Sequence, residues 1–348
     1  MKEITTLYIE KILENEIKTN IREIIPSGKI LAIKVSCYRS KFHLGTRKLF
    51  RVVVKYATNG SSKNKILLVK QVHDAFKSFN LHDFVYNGFE NIAVPQLFPK
   101  VYFIIPEGNY IVMDYIKGKP LYNLIASRIT VGCWRFLLEI FENIGNNLYF
   151  FHSLTENQYQ PIKLCNVVEK IRMELDNSKL FIREEKNRIN NYLKIGEESL
   201  DADYTIPAAK GFNDWTVRNF ILEKKGGLKL IDVDSIVHPE YPEYDIIWND
   251  ISSFLINIEG KIKYSPLITE KKINQLERAF LNGYNNMLKR RYSTKEIHFL
   301  YYISVLRFFL GMIERPLHAI YQRWPGVRFI KKLRKSLING SGSLFSHL

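Results

Sequence analysis

Apolar and polar positions alternate with one period near the N-terminus and another beyond it. Met1 to Ile25 mixes charged and apolar residues at helical spacing and predicts an amphipathic helix, ended by Pro26-Ser27-Gly28. Ile30–Cys37, Leu49–Tyr56 and Lys65–Val72 read as strands, and Thr58-Asn59-Gly60-Ser61 predicts that the last two form a hairpin. Asp74–Ile92 carries apolar residues at 76, 79, 81, 84, 85, 89 and 92, a helical pattern that Pro95 and Pro99 terminate. Two further strands, Lys100–Ile105 and Tyr110–Tyr115, are joined by Pro106-Glu107-Gly108-Asn109. Beyond Gly118 and Pro120 the spacing turns helical, around 120–128, 131–154, 165–176, 178–198, 244–258, 269–289 and 294–313, with shorter segments near 316–322 and 326–337. One stretch interrupts the helices. In Gly211–Ser235, the short apolar segments Phe220–Leu222 and Leu228–Ile231 flank Gly226-Gly227 and predict a hairpin.

The expected fold class is therefore α+β with two lobes. A helix over 1–25 precedes a small antiparallel-sheet lobe over 26–115. A larger helical lobe over 116–338 carries the hairpin 211–235, and 339–348 form a tail, with a hinge near residue 115. There is no internal repeat and no low-complexity tract.

Composition adds boundaries. The 348 residues suffice for one large domain or two lobes, and at 46% hydrophobic they provide a substantial core. Cys37, Cys133 and Cys165 have neither a disulfide-framework nor a zinc spacing, which fits a reducing, cytoplasmic setting. The N-terminus lacks the apolar core of a signal peptide. The longest membrane candidate, Phe299–Ile313, is short and carries Arg307.

The net charge of +16 is partly local, with seven Lys or Arg and no Asp or Glu from Arg315 onward. Such a balance reads either as a solvated surface or as attraction to a polyanion. The segment Trp324–Ile338 interleaves apolar residues with Arg328, Lys331, Lys332, Arg334 and Lys335. It is expected either to lie as an amphipathic helix on an anionic membrane, at the inner face, or to pack on the lobe with its basic side in water. No nucleic-acid-binding motif accompanies the charge, so nucleic acid is not expected as a partner.

The chemistry concentrates in the interrupted stretch. Asp214 precedes Asn219 by five residues, and the hairpin ends at Asp232. Phosphoryl transfer needs a carboxylate to accept a hydroxyl proton, and hard oxygen donors to hold magnesium. Asp214 suits the first role, and Asn219 with Asp232 the second. Asp234 would share a strand face with Asp232 and is an alternative ligand.

Lys70 ends the apolar run Ile66–Val69 and is placed to reach nucleotide phosphates. A buried ammonium needs an anionic partner. Glu90 is the only glutamate between Glu23 and Glu107, with Asp74 and Asp83 as rivals for that pairing. The extended backbone of Met113-Asp114-Tyr115 would hydrogen-bond an adenine edge. His152 reads as a packed structural histidine. Arg218 reads equally as a phosphate contact or as the partner of a surface carboxylate.

These motifs, in this order, resemble the aminoglycoside phosphotransferase and choline kinase branch of the protein-kinase-like superfamily. That family's His-Gly-Asp, four residues, Asn and hairpin to Ile-Asp is similar to Phe212-Asn213-Asp214, Asn219 and Ile231-Asp232-Val233-Asp234. Its Val-Pro and Val-Met-Glu-Tyr elements look like Val94-Pro95 and Val112-Met113-Asp114-Tyr115, with Gly118 behind. Its Leu-His helix end is similar to Leu148–His152, and its Tyr-Asp-Leu element to Tyr244-Asp245-Ile246. The resemblance spans residues 30 to 258. It implies a two-lobed kinase fold and a kinase that uses ATP and Mg2+ to phosphorylate a hydroxyl. Asp214 would be the base, Asn219 and Asp232 the metal ligands, and Lys70 with Glu90 would lie at the phosphates.

Three departures qualify the resemblance. His-Gly is replaced by Phe212-Asn213. No glycine-rich loop separates the first two strands. No Ala-Pro-Glu element is present, which argues against a protein substrate. The expected acceptor is a small molecule or a glycan, lipid-linked saccharides included. Phe212-Asn213 motivate the alternative of a pseudokinase that uses the same fold for binding or scaffolding.

Overall fold

The computed structural model describes residues 2–37, 48–91, 96–130, 133–156, 158–211, 215–224, 226–231, 245–262, 269–288, 292–313 and 324–340. The chain divides into two compact units, Met1–Lys119 with Ile221–Tyr241, and Pro120–Phe220 with Pro242–Leu348. It is α+β, as expected.

In the first unit the expected single N-terminal helix is two, α1 (Lys2–Thr19) and α2 (Ile21–Ile24). They meet at Asn20, whose side-chain amide donates to the Glu16 carbonyl. This segment is no separate element. Leu13, Ile17, Ile21 and Ile24 share one core with Phe50, Val52, Leu67, Val69 and Val112.

Strands β1 (Lys29–Cys37), β2 (Leu49–Thr58), β3 (Ser61–Gln71), β4 (Val101–Ile105) and β5 (Tyr110–Asp114) form an antiparallel sheet in the order β1-β2-β3-β5-β4. The β2–β3 turn has φ +48° at Asn59 and +76° at Gly60, the left-handed pair that Asn-Gly adopts readily in a tight hairpin. Between β3 and β4 runs α3 (Ala75–Asn91). Ala75 joins Val72, Val101, Ile111 and Met113 in a second cluster on the other sheet face, with Leu68 and Phe79 packed against it. Each sheet face thus has its own helical cover, set by the period-two alternation.

The chain continues through β6 (Gly118–Pro120), α4 (Leu121–Thr130) and α5 (Trp134–Glu156). Next, β7 (Ile162–Lys163) pairs with β8 (Thr205–Ile206), enclosing α6 (Leu164–Asn177) and α7 (Arg183–Glu198). After β9 (Ala208–Ala209) comes the expected hairpin, β10 (Phe220–Glu223) and β11 (Leu228–Leu230). Its turn carries Gly226 at φ +88°, and the Glu223 N–H donates to the Gly227 carbonyl.

The hairpin corrects the expected domain partition. From Ile221 onward it clusters with the sheet unit rather than the helical one. The cause is main-chain bonding: β10 lies between β11 and β6, and the Leu230 N–H donates to the Leu97 carbonyl. A Cβ at Gly118 would come within 2.3 Å of the Leu222 carbonyl oxygen, so only glycine permits this approach of β6.

The second unit is completed by β12 (Asp245–Ile246), which pairs with β9, and by α8 (Trp248–Ile262), α9 (Glu270–Met287), α10 (Thr294–Ile313) and α11 (Trp324–Asn339). The short helix expected near 316–322 lies outside the described residues. On α11, Leu333 and Leu337 are fully buried. The Tyr302 hydroxyl donates to the Leu337 carbonyl, Arg334 pairs with Glu185 at 2.6 Å, and Lys332 with Glu270 at 3.4 Å. Of the two roles expected for this helix, these contacts fit packing on the lobe, with Leu333 and Leu337 turned inward. Among the described residues no helix is long and apolar enough to cross a membrane. Cys37, Cys133 and Cys165 form no disulfide.

Candidate active site

Lys70 lies on β3, opposite Leu49 on β2 and Ile111 on β5. It is 5% exposed, and among the described residues no other lysine or arginine is buried. Strand alternation gives it the face of Leu68, Ile111 and Met113, which α3 covers.

The expected partner Glu90 lies elsewhere. The buried residues of α3 are Ala75, Ser78, Leu81, His82, Val85 and Phe89, so helical phase leaves Glu90 exposed. No ion pair joins it to Lys70 among the described residues. It acts on Tyr86, one turn earlier, whose hydroxyl pKa is raised first by burial and then by the Glu90 charge. The rivals are locally engaged: Asp74 accepts from the Lys77 N–H and Asp83 from the Asn87 side-chain amide.

Met113 is buried in the α3-side cluster. Asp114 accepts a hydrogen bond from the Tyr102 hydroxyl at 3.0 Å and pairs with Lys65 at 2.6 Å. Burial alone would lower the Lys65 pKa, but the bonds to Asp114 and Tyr102 raise it above its ordinary value. The Asp114 N–H donates to the Lys100 carbonyl and the Tyr115 N–H to that of Ile66. Both of these N–H groups are thereby engaged within the sheet unit. The Tyr115 ring itself faces the Arg51 guanidinium, 5.6 Å away.

In the second unit, the Asn219 N–H donates to the Thr216 carbonyl at 3.0 Å, closing a turn immediately before β10. The Asn219 side chain is half-buried. Arg218 is exposed and lies 5.6 Å from the Tyr122 ring, a cation–π contact that neither sequence reading anticipated. Asp214, Asp232 and its alternative Asp234 lie outside the described residues, as do Phe212 and Asn213. Among the described residues no three His, Cys, Asp or Glu side chains cluster as metal ligands, and of the expected magnesium ligands only Asn219 falls among them.

Contacts hold the residues on either side of 212–214. Before it, the Lys210 N–H donates to Thr155 Oγ1 at 3.1 Å. After it, buried Trp215 packs on Phe151, ring centroids 6.1 Å apart, and on Phe220 at 5.4 Å. His152 is 2% exposed, with Nδ1 2.8 Å from the Tyr284 hydroxyl and Nε2 3.2 Å from Asp250 Oδ2. It is a packed histidine. Burial, and then nearby charge, push the Tyr284 pKa well above that of a free phenol. Nothing local in the sequence marks Thr155, Asp250 or Tyr284, and the last two lie 98 and 132 residues from His152. Asp245, of the Tyr-Asp-Ile element, pairs with Arg307 at 2.6 Å.

Between α6 and α7 opens a cavity of about 850 Å3, lined in part by Arg172, Asn190, Lys194, Glu197 and Asp201. Arg172 and Glu197 form an ion pair at 2.9 Å.

No protein-family model matches the sequence, and no curated protein matches it. Among solved structures, the chain is similar to the choline kinase LicA of Streptococcus pneumoniae, at 14% identity and a TM-score of 0.47, over 95% of this chain and 99% of that one. It is also similar to the amicoumacin kinase hAmiN in complex with AMP-PNP, Ca2+ and Ami, at 13% identity and a TM-score of 0.48, over 98% and 96% of the two chains. A third similar structure is the ADP-bound aminoglycoside phosphotransferase APH(2'')-Ib, at 14% identity and a TM-score of 0.45, over 95% and 98%.

Proposed function

We propose that this chain is a phosphotransferase that moves a phosphoryl group from ATP to a hydroxyl of a small molecule or saccharide. The observation that carries the reading is the place of Lys70: buried, on β3, on the sheet face that α3 covers. An ammonium is costly to bury and is retained in negatively charged company. That supports Lys70 as a fit for the phosphates of a nucleotide. The order of strands and α3 around it, and the Asp214, Asn219 and Asp232 spacing, support the same reading.

Bound ATP with magnesium would supply the activated phosphoryl group and neutralise its charge. Lys70 would hold a phosphate oxygen by charge-assisted hydrogen bonds. The Asn219 amide oxygen and the Asp232 carboxylate would be the donors for the metal, of the hard type magnesium prefers. The Asp214 carboxylate would accept a hydrogen bond from the acceptor hydroxyl, orient it, and take its proton late in the reaction. Glu90 has no part in this scheme. The missing protein-substrate element supports a small-molecule or saccharide acceptor.

The test is ATP consumption by the purified chain across sugars, amino alcohols, aminoglycosides and lipid-linked glycans. We expect turnover with at least one acceptor class. Asp214→Ala should lower it roughly 10²- to 10⁴-fold, as loss of a general base does. Full activity in Asp214→Ala would refute the base assignment. Magnesium-dependent ATP binding with no turnover in any arm would favour a binding module over an enzyme.

A further inference from the structure

We infer that Arg51 is a second phosphate-binding cation, meeting the phosphate chain of the nucleotide beside Lys70; this rests on the phosphotransfer reading above. The observations that carry it lie on one face of the first unit's sheet.

The register puts Arg51 opposite Ser36 on β1 and Leu68 on β3. Residues directly opposite in a ladder share a face, and so do residues two apart on one strand. Arg51 therefore stands on the face of Leu68 and Lys70, with Lys70 as its diagonal neighbour. Such diagonal pairs are roughly 7–8 Å apart, within reach of long side chains. Lys34, opposite Val53, and Lys55 belong to the same face and are exposed.

This face carries Lys34, Arg51, Lys55 and Lys70, and no strand places an Asp or Glu on it. The inward side of α3 adds none. On the opposite face, by contrast, Lys65 has Asp114 at 2.6 Å. Arg51 forms no ion pair among the described residues, and its Nε is buried without a hydrogen-bond partner. Its guanidinium lies 5.6 Å from the Tyr115 ring. A cation–π contact leaves the N–H donors of the group unused. A buried donor without an acceptor is costly, and a phosphate oxygen is the acceptor that matches a guanidinium in charge and geometry.

The same part of the face is open. Val52, Val54 and Leu67, on the opposite face, are fully buried, whereas Val53, Ile66 and Leu68 are half-buried. The packing of α3 is on β4 and β5. Val53 and Ile66 thus offer an apolar floor to a ring or sugar, with cations at its side for the phosphates. A glycine-rich loop would hold those phosphates by backbone N–H groups. The sequence has none between the first two strands, and Arg51, near the start of β2, supplies charge in its place.

The experiment compares the full wild-type chain with Arg51→Met, which keeps an apolar stem, and Arg51→Lys, which keeps the charge. Affinity for MgATP is read by isothermal titration. Adenosine, a base without phosphates, and magnesium tripolyphosphate, phosphates without a base, are read by displacement of MgATP. Arg51→Met is expected to bind MgATP and tripolyphosphate roughly ten- to a hundredfold more weakly and adenosine within about twofold, with an unchanged Tm. Arg51→Lys should recover part of the loss.

Unchanged MgATP affinity in Arg51→Met would overturn the inference. So would an equal loss for adenosine, which would put the guanidinium on the base, or a lowered Tm with all three ligands weakened alike, which would make Arg51 structural. In each of these cases the phosphotransfer reading stands if Lys70→Met weakens MgATP binding. A wild-type chain that binds no MgATP would overturn that reading, and the role of Arg51 with it.

Discussion

Gly145 on α5 and Gly283 on α9 are reciprocal points of contact between the two helices. A Cβ on Gly145 would lie 2.0 Å from the Phe280 carbonyl oxygen, and one on Gly283 would lie 2.0 Å from that of Glu142. Both obstacles are backbone and cannot rotate away. Alanine normally favours a helix over glycine by about 1 kcal/mol. Here Gly145→Ala or Gly283→Ala should nevertheless destabilise the protein, by roughly 1–3 kcal/mol, as overpacking does. Gly311 on α10 provides the contrast, since a Cβ there meets nothing within 4 Å. Gly311→Ala should stabilise by about 0.5–1 kcal/mol. Urea denaturation of the three variants checks both signs.

Tyr302 sets an alkaline limit on the second unit. Its side chain is fully buried and its hydroxyl donates to the Leu337 carbonyl. Burial, and to a lesser degree nearby Tyr192, raise its pKa above the ordinary value of 10.0. The unfolded chain therefore loses this proton at lower pH than the folded one. The contribution of Tyr302 to stability is complete below about pH 10 and falls as pH rises further. Tyr302→Phe should remove part of this alkaline decline, while costing about 1–3 kcal/mol at neutral pH through the unpaired Leu337 carbonyl. Chemical denaturation of both proteins between pH 8 and 11.5 separates the two effects.

The basic C-terminal helix should behave as a packed element. Leu333 is fully buried, so Leu333→Ala should cost about 2–5 kcal/mol. A helix resting on a membrane would be indifferent to that change in the absence of lipid. Co-sedimentation with vesicles rich in phosphatidylserine should show at most weak retention, abolished at high salt. Salt-resistant retention, lost in Leu333→Ala, would mean that α11 leaves its site and inserts.

The first unit was legible in the sequence because its signals are local. Asn59-Gly60 marks a hairpin by itself, and the strands around it are long enough to show period two. The order of three strands, a helix and two strands follows. The two-residue strands β7, β8, β9 and β12 are too short for any period to register. The hairpin was legible as a hairpin, but its affiliation was not, because that depends on Leu230 meeting Leu97 across more than a hundred residues of chain. Glu90 shows a related limit. As the only glutamate in its stretch it was the obvious partner for a buried lysine, yet one residue of helical phase separates it from the inward side that Phe89 occupies. For Asn219 the sequence marked the residue, and the structure adds the Thr216 turn that presents it.

Lys70 and Glu90 can be separated by nucleotide affinity. If a phosphate oxygen bonds the Lys70 ammonium, Lys70→Met removes charge-assisted hydrogen bonds worth about 1.5–3 kcal/mol, and ATP should bind roughly ten- to a hundredfold more weakly. Methionine keeps the length and apolar stem of the side chain, so the cluster around Leu68 and Ile111 need not collapse. Glu90 is exposed and forms no ion pair with Lys70 among the described residues. Glu90→Gln should therefore leave the Kd for MgATP within about twofold, the size expected of a solvated surface charge. Isothermal titration of the two variants against MgATP decides the matter. An equal loss in both would mean that nucleotide binding brings Glu90 onto the ammonium. A loss in neither would remove Lys70 from the phosphate site, and with it the observation on which the phosphotransfer reading rests.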